Sequence, residues 1–433
     1  MTTIILKHHK EESLKRFHPW VFSGAIYRME DEFGNEVQPA EGDWVRVVSD
    51  AGEFLALGQY QIGSIAVRIF SFEEDEMDDD FFLRRLQSAY DLRRTLGLIR
   101  PDNNAFRLVH GEGDGLPGLI IDVYDGTAVM QAHTPGIHDI REALAEDLIR
   151  VAGADIRNVY YKSETTLGYK TEARQAAVAE GESVNGYLII DGKKVESAAQ
   201  GKQLENTISD VALENGLKFH VDWLKGQKTG FFVDQRENRA LVEKYSAGRK
   251  VLNMFCYTGG FSSYAMRSNA QLVHSVDVSK QAISFTQANV ELNFPGDARH
   301  QAFAADAFDF LDNPQRFGAG LEPDAEGYLP YDLIILDPPA FAKHKNVLRN
   351  ALRGYQRLNA KALEKIRPGG ILFTFSCSQV VTKDDFRCAV FSAAAQTGRR
   401  VRILHQLHQP ADHPINIYHP EGEYLKGLVL YVE

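Results

Sequence analysis

The sequence predicts an α/β fold whose largest part is a doubly wound, parallel sheet, and three segments carry this prediction. Residues 251–277, VLNMFCYTGGFSSYAMRSNAQLVHSVD, read as a strand, a glycine turn, a helix and a second strand that ends in an acid. Two later apolar runs, YDLIILD at 331–337 and GGILFTFSCS at 369–378, have the length and composition of buried strands. Strands that alternate with helices in this way form parallel sheets covered by helices on both faces.

The glycine turn at 257–261 is where this part of the chain could bind a ligand. Gly259 and Gly260 lack a Cβ, so a ligand can lie close against their backbone. Asp277, at the tip of the second strand, stands where the ribose hydroxyls of a nucleoside are held. The turn lacks the fingerprint G-x-G-x-x-G, and by itself it also suits an ordinary strand-to-helix corner. The order and spacing of the three segments resemble motifs I, IV and VI of class I S-adenosylmethionine (SAM) methyltransferases.

Length and composition indicate a globular protein of two or three domains, since 433 residues exceed one ordinary domain. Its 44% hydrophobic and 25% charged residues are typical of soluble proteins, and no apolar run approaches the roughly 20 residues of a membrane helix. The N-terminus has no signal-peptide core, and three widely spaced cysteines favour a reducing compartment, so we expect a cytoplasmic protein. The net charge of −11 counts against a general nucleic-acid binder but permits a local basic patch.

The chain divides into four predicted parts. Residues 1–71 carry short strands between glycines and predict a small β-barrel or roll, and residues 72–102 hold a connecting helix from Phe81 to Leu96. Residues 103–200 alternate strand and helix patterns, as in a small α+β domain. Residues 201–433 form the doubly wound part, in which Gln235 to Tyr245 should be a helix beside the nucleotide site.

Cys377 and Asp337 are the candidate catalytic residues. Each follows a predicted strand, so both should lie at the carboxyl edge of the sheet, where ligands bind. Attack of a thiolate on C6 of cytosine makes C5 nucleophilic enough to accept a methyl group, whereas methylation of an exocyclic amine needs no thiol. A strand-end cysteine is more often structural, but its flanking serines and the Asp-Pro-Pro segment favour catalysis here. Cys256 and Cys388 are interpreted as structural.

Other residues around this edge are assigned to the cofactor or to the substrate base. Thr258 to Phe261 would lie along the methionine part of SAM, and Asp277 would bind its ribose diol. Asp306 would meet the adenine amino group, although an aspartate there also suits a helix cap. Pro338 and Pro339 stiffen the loop after Asp337, and Phe341 could stack on a flipped base. The histidines show no consistent metal spacing, so no metal is assigned.

Segments along nearly the whole chain resemble the bacterial 23S ribosomal RNA (cytosine-5) methyltransferases that carry an N-terminal PUA domain. The matching segments are HPWVFSGAI, GEGDGLPGLIID, KTGFFVDQRENR, VLNMFCYTGGFS, LDPPAFAKHK, RGYQRLN, FTFSCSQ and ADHPINIYHPEGEYLKG. The resemblance implies a PUA barrel, a central α+β domain and a Rossmann-like catalytic domain. It also implies SAM as methyl donor and one cytosine of the large-subunit rRNA as target.

The resemblance also assigns roles by position. Cys377 is then the nucleophile, and Asp337 holds the N3/N4 edge of the cytosine. The residues that border the cofactor are Gln235, Tyr257, Thr258, Gly259, Gly260 and Phe261, with Asp277 and Asp306 on its ribose and adenine. We expect the PUA-like part to supply RNA affinity through His18 to Gly24 and the basic residues Lys7, Lys10, Lys15 and Arg16.

One departure and two alternatives remain open. Many RNA cytosine-5 methyltransferases have a second cysteine after the motif IV proline, whereas this chain has Pro339-Ala340, so the acceptor of the C5 proton is Asp337 or a water. The alternatives are an exocyclic-amine methyltransferase that uses Asp-Pro-Pro, and a non-catalytic RNA-binding or ribosome-assembly factor. The sequence leaves open whether the protein forms a homodimer.

Overall fold

The computed structural model describes residues 1–167 and 183–433 and divides into two compact units. The first unit comprises Met1–Leu213, Val221–Val233 and Ala411–Gly422. The second unit comprises Glu214–His220, Asp234–Pro410 and Glu423–Glu433. The finer partition at residues 71, 102 and 200 stays a prediction. In the part of the chain described, no helix has both the length and the apolar content needed to cross a membrane.

The first unit begins with a six-stranded sheet in the order β2-β6-β5-β4-β1-β3. Its strands are β1 (Thr2–Leu6), β2 (Trp20–Phe22), β3 (Ile26–Glu30), β4 (Trp44–Val48), β5 (Phe54–Tyr60) and β6 (Ile65–Ser71), with the short helix α1 (Glu12–Lys15). Ile4, Val45, Val47 and Val67 are fully buried in its core. The short strands predicted within residues 1–71 are therefore confirmed, for example at Trp44–Val48 and Phe54–Tyr60.

A second six-stranded sheet follows in the first unit, in the order β12-β11-β10-β9-β8-β7. Its strands are β7 (Ala105–His110), β8 (Leu119–Tyr124), β9 (Thr127–Ala132), β10 (Asn158–Tyr161), β11 (Gly186–Ile190) and β12 (Lys193–Lys194). The helices are α2 (Phe81–Thr95), α3 (Pro135–Asp139), α4 (Arg141–Ala152) and α5 (Ala198–Leu204). The predicted connecting helix is α2, and Phe70 of β6 shares one apolar core with Phe81 of α2 and with the second sheet.

Residues 411–422 belong to the first unit although the chain on both sides of them belongs to the second. The backbone carbonyl of Asp412 accepts a hydrogen bond from Arg93 Nη2 at 2.7 Å, and its carboxylate accepts one from the amide of Arg107 at 3.0 Å. Asp412 and Arg93 are both fully buried, so this anchor is shielded from water. The segment is thus an integral part of the first unit.

The second unit contains a seven-stranded sheet in the order β17-β16-β15-β18-β19-β21-β20. Its strands are β15 (Lys250–Met254), β16 (Leu272–Asp277), β17 (His300–Ala304), β18 (Leu333–Leu336), β19 (Gly370–Ser376), β20 (Val401–His408) and β21 (Lys426–Val432). The two short strands β13 (Val211–Glu214) and β14 (Leu217–His220) form a separate two-stranded sheet. The helices are α6 (Arg236–Ser246), α7 (Gly260–Arg267), α8 (Lys280–Asn293), α9 (Ala307–Asp312), α10 (Leu348–Lys365) and α11 (Lys383–Thr397).

Strand direction and order in this sheet position the site. The five strands β15 to β19 are parallel, whereas β21 runs antiparallel to both β19 and β20. Every residue of β18 and β19 is buried, as expected for strands covered on both faces. The strand order reverses between β15 and β18, and doubly wound sheets bind ligands beside such a reversal, at the carboxyl ends of the strands. The predicted doubly wound sheet is confirmed.

Candidate active site

The carboxyl ends of four neighbouring strands bring the predicted site residues to one edge of the sheet. Met254, the last residue of β15, pairs with Val276 of β16 on one side and with Leu336 of β18 on the other. Leu336 in turn pairs with Thr374 of β19. The glycine turn, Asp277, the Asp-Pro-Pro segment and Ser-Cys-Ser therefore all begin at this edge.

The turn after β15 has a strained backbone. Phe255 (φ +59°), Tyr257 (φ +47°) and Gly259 (φ +78°) all adopt left-handed conformations. For a bulky residue other than glycine, such a conformation costs on the order of 1–3 kcal/mol and is characteristic of functional sites. Phe255 and Tyr257 both have this conformation, so contacts with the surrounding structure must hold the backbone of the turn in place.

Helix α8 holds the turn in place through two side chains that sequence reasoning missed. Thr286 Oγ1 donates to the carbonyl of Tyr257 at 2.9 Å, and Asn289 Nδ2 donates to the carbonyl of Thr258 at 2.8 Å. Thr286 and Asn289 are three residues apart, which places them on one helix face, and both are fully buried. A Cβ at Gly259 would lie 2.8 Å from Cγ2 of Thr286, so only glycine fits there. In the sequence, the only available sign of this role was a threonine and an asparagine placed three positions apart.

Asp277 lies at the end of β16 and is half-buried. Its carboxylate accepts hydrogen bonds from the amide of Tyr257 at 3.1 Å and from the amide of Ser279 at 2.9 Å. The cap of α8 is Ser279, whose hydroxyl accepts from the amide of Ala282, so Asp277 is not the cap of this helix. Asp277 instead ties the end of β16 to the glycine turn.

Helix α6 lies against the start of α7, behind the turn. A Cβ at Gly260 would lie 2.9 Å from Cδ of Arg239, whose guanidinium makes a buried two-point ion pair with Glu214 at 2.7 and 2.6 Å. Gln235 directly precedes α6; its side chain is buried and accepts from Asn238 Nδ2 at 2.6 Å. The helix predicted from Gln235 to Tyr245 is confirmed at 236–246.

Phe261 and Asp306 have local structural roles in the second unit. The Phe261 ring is buried in the core, 5.7 Å from the ring of Phe375, so it can border a ligand at the turn only through its backbone. The Asp306 carboxylate is exposed and caps α9, since it accepts from the amides of Phe308 and Asp309. The cap that the sequence suggested for Asp306 is present, and its contact with adenine stays a prediction.

The loop that carries Cys377 is held by Tyr355 of α10. The Tyr355 hydroxyl lies 3.0 Å from Ser376 Oγ and 2.9 Å from Ser378 Oγ, so both serines beside Cys377 contact one buried group. Ser378 Oγ also accepts from the amide of Ala342 at 3.3 Å, which joins the loop to the segment after Asp-Pro-Pro. Tyr355 lies in RGYQRLN, and the sequence alone assigned it no role.

Cys377 itself is half-buried, and its Sγ lies 4.0 Å from the carbonyl of Pro338. Asp337 is half-buried, Pro338 is buried and Pro339 is exposed. The Phe341 ring packs on Tyr355, with ring centroids 4.5 Å apart and an angle of 31° between the planes. The structure therefore brings Cys377 and the Asp-Pro-Pro loop together, and it places Phe341 on the residue that holds the cysteine loop.

The other two cysteines have different environments. Cys256 is buried, and this burial raises the pKa of its thiol to about 12, which keeps it protonated. That environment agrees with the structural role expected for Cys256. Cys388 is exposed on α11, so it contributes nothing to the core, unlike the structural role expected from the sequence.

Comparison with known proteins identifies the class of protein that this fold and site define. Residues 165–418 match the family model described as S-adenosylmethionine-dependent methyltransferase, and residues 4–72 match a PUA-like domain. A SAM-dependent methyltransferase structure from Streptococcus mutans covers all of both chains with a TM-score of 0.76 and 23% identity. A methyltransferase solved in complex with SAH covers them with a TM-score of 0.78 and 23% identity. These structures share the fold.

Two curated relatives define the family more closely. The ribosomal RNA large subunit methyltransferase I of Shewanella denitrificans is 37% identical over 440 residues, which cover 99% of each chain. That of Photobacterium profundum is 37% identical over 435 residues and covers both chains in full. The chain belongs to this family of SAM-dependent methyltransferases.

The second unit fits the SAM of this family. The left-handed turn brings backbone close to the sheet edge, and Thr286 fills the space that a Cβ at Gly259 would need. The half-buried carboxylate of Asp277 is oriented by two amides and can accept further hydrogen bonds from hydroxyl groups. SAM, when bound, supplies an electrophilic methyl group on its sulfonium.

Proposed function

We propose that the protein methylates C5 of one cytosine in 23S rRNA, with Cys377 as nucleophile. The main support for this proposal is that Cys377 and Asp337 follow adjacent parallel strands, with the Cys377 thiol 4.0 Å from the carbonyl of Pro338. One flipped base could therefore meet both groups. The names of the full-length relatives support large-subunit rRNA as the substrate.

The proposed chemistry assigns each bond and proton. The Cys377 thiolate adds to C6 of the cytosine, and the C5–C6 electron pair moves to make C5 nucleophilic. C5 would then take the methyl group as the carbon–sulfur bond of SAM breaks and the neutral thioether leaves. The proton on C5 passes to Asp337 or to a water at the site. The electrons of that C–H bond restore the C5–C6 double bond and expel the thiolate, which regenerates the enzyme.

The Asp-Pro-Pro loop has a positioning part in this proposal. Asp337 would hold the N3/N4 edge of the cytosine, because a carboxylate accepts hydrogen bonds from the N4 amine and, when N3 is protonated, from N3–H. Pro338 and Pro339 limit movement of the loop. Extruding the base costs a few kcal/mol, which stacking on Phe341 would partly offset. This stacking requires that one face of the half-buried Phe341 ring meet the base, since the ring also packs on Tyr355.

RNA containing 5-fluorocytosine tests the covalent step, because C5 then carries no proton that can be removed and the adduct accumulates. In a denaturing gel, wild-type protein with SAM should show a band of protein bound to RNA, and Cys377→Ala should not. Cys388→Ala is the matched control, since Cys388 is an exposed cysteine of the same unit. An equally strong adduct from Cys377→Ala would transfer the nucleophile role to another residue.

The same variant distinguishes the alternatives. An exocyclic-amine methyltransferase would keep its turnover in Cys377→Ala, and nucleoside analysis of the RNA would show a methyl group on nitrogen. A non-catalytic factor would give no methylated nucleoside with any variant. Bisulfite mapping of rRNA from cells with and without this gene would locate the modified cytosine.

A further inference from the structure

Lys426 is a buried lysine at the loop that carries Cys377. It is the first residue of β21 and the antiparallel partner of Ser376, and only 5% of its surface is exposed. Its Nζ donates to the carbonyl of Ser378 at 2.7 Å and to the carbonyl of Val381 at 2.6 Å. The strand partner of Lys426 therefore precedes Cys377 in the sequence, and the two carbonyls that its side chain contacts follow Cys377.

Lys426 has more hydrogen-bond donors than acceptors around it among the described residues. An ammonium has three N–H donors, and among the described residues two carbonyls are its hydrogen-bond acceptors. In the described part of the chain no ion pair joins Lys426 to a carboxylate, and Glu423, the acid with the largest influence on it, is paired with Lys383 at 2.5 Å. A buried cation without an anionic partner is costly, so an anion beside it would be stabilised.

The Cys377 thiolate is that anion in our interpretation. Burial lowers the pKa of Lys426 to about 8, and the charge of Cys377 is the largest influence that opposes this decrease. Lys426 thus remains mostly protonated at neutral pH and is close enough to Cys377 to interact with its charge. Glu423, Asp385 and Lys383 also act on the charge of Lys426, and the hydroxyl of Tyr355 faces the charge of Cys377.

We propose that Lys426 is a positioning residue that stabilises the thiolate of Cys377. This inference rests on the proposed function, in which that thiolate attacks C6. A free thiol with a pKa of ~8.5 is mostly protonated at neutral pH, and a nearby positive charge increases the fraction present as thiolate. The proton of the thiol leaves to solvent, and the ammonium also stabilises the thiolate when it is expelled from C6.

The test is the pH dependence of alkylation of Cys377 in the full chain, without RNA. Iodoacetamide reacts with the thiolate, and peptide mass spectrometry gives separate rates for Cys377 and for the exposed Cys388. In the wild type, Cys377 should reach half its maximal rate at a lower pH than Cys388. A half-maximum for Cys377 at the same or a higher pH would overturn the proposal without any variant.

Two substitutions isolate the charge. Lys426→Met should move the Cys377 profile to higher pH and lower the rate at neutral pH about tenfold, which corresponds to ~1 pH unit. Lys426→Arg should restore the wild-type profile, and Cys388 should be unchanged in both. A Cys377 profile in folded Lys426→Met that coincides with the wild type would contradict the proposal. Because no RNA is present, this outcome is independent of the 5-fluorocytosine test of Cys377 as nucleophile.

Discussion

The carboxylate of Asp277 accepts a hydrogen bond from the backbone amide of Tyr257 at 3.1 Å. This bond joins the end of β16 to the turn that follows β15, where Tyr257 has a left-handed backbone. A second bond from the amide of Ser279 orients the other carboxylate oxygen. Asp277 is therefore positioned before any ligand binds, which lowers the entropic cost of using it for recognition.

Asp277→Ala should weaken SAM binding. Loss of charged hydrogen bonds to the ribose diol should cost roughly 1.5–3 kcal/mol. Isothermal titration calorimetry on the full chain measures the affinity, and circular dichroism confirms the fold. Asp384→Ala, which removes an exposed acid of the same unit, is the control and should bind normally. Unchanged affinity in folded Asp277→Ala would remove Asp277 from the cofactor site.

Tyr355→Phe should slow formation of the RNA adduct while SAM binding is retained. The substitution removes the hydroxyl that contacts Ser376 and Ser378, and unsatisfied buried groups cost about 1–3 kcal/mol. The rate of adduct formation with 5-fluorocytosine RNA is the measurement. Tyr431→Phe, at a half-buried tyrosine of β21, is the control. Equal rates for both variants would show that Tyr355 does not position the Cys377 loop.

The second unit should lose stability as the pH falls from about 6.5 towards 4, in part through His274. Burial lowers the pKa of His274 to about 4, and its ring contacts the Tyr331 hydroxyl at 2.8 Å. The unfolded chain then binds a proton in this range before the folded chain does, so acid favours unfolding, by on the order of 1–3 kcal/mol for this group.

His274→Gln should reduce that pH dependence. Denaturant titrations at pH 7.5 and pH 4.5 give the difference in unfolding free energy for the wild type and for the variant. The difference should be smaller in the variant, even if the variant is less stable at both values. His300 has a similarly lowered pKa of about 4 and contacts Ser275, so part of the dependence should remain. An unchanged difference would exclude His274 as a contributor.

RNA binding by the PUA-like part should depend on Lys7 and Lys10 more than on Lys15 and Arg16. Lys7 and Lys10 are exposed, whereas Lys15 pairs with Glu53 at 3.0 Å and Arg16 with Glu12 at 3.6 Å. Replacing Lys7 and Lys10 by alanine should weaken binding and reduce the salt slope by roughly 0.7–0.9 for each phosphate that is no longer neutralised. The Lys15 and Arg16 double variant is the matched control.

Fluorescence anisotropy at several salt concentrations measures both variants. Equal slopes for the two would place recognition outside these lysines. Point variants suit this test better than deletion of residues 1–71, because Phe70 is buried in a core shared with Phe81 and the second sheet. Deletion would expose that core and confound RNA affinity with stability.

The pattern of the sequence alone predicts the strands and the order of the motifs. Strand β16 and its terminal acid, for example, are evident because apolar runs between turns are local properties of the chain. The environment of Phe261, in contrast, could not be predicted from the local sequence. A phenylalanine after two glycines is compatible with a ligand or with the core, and only packing against Phe375 decides.

By itself, the sequence determined the α/β class, the glycine turn, and the placement of Asp277, Asp337 and Cys377 at strand ends. Tertiary structure alone decided which distant groups meet them, because such contacts depend on strand order rather than on spacing along the chain. Lys426 reaches the Cys377 loop only because β21 inserts antiparallel beside β19. Thr286 likewise supports the glycine turn only because α8 packs behind it, and burial then decides which charges and hydrogen bonds matter.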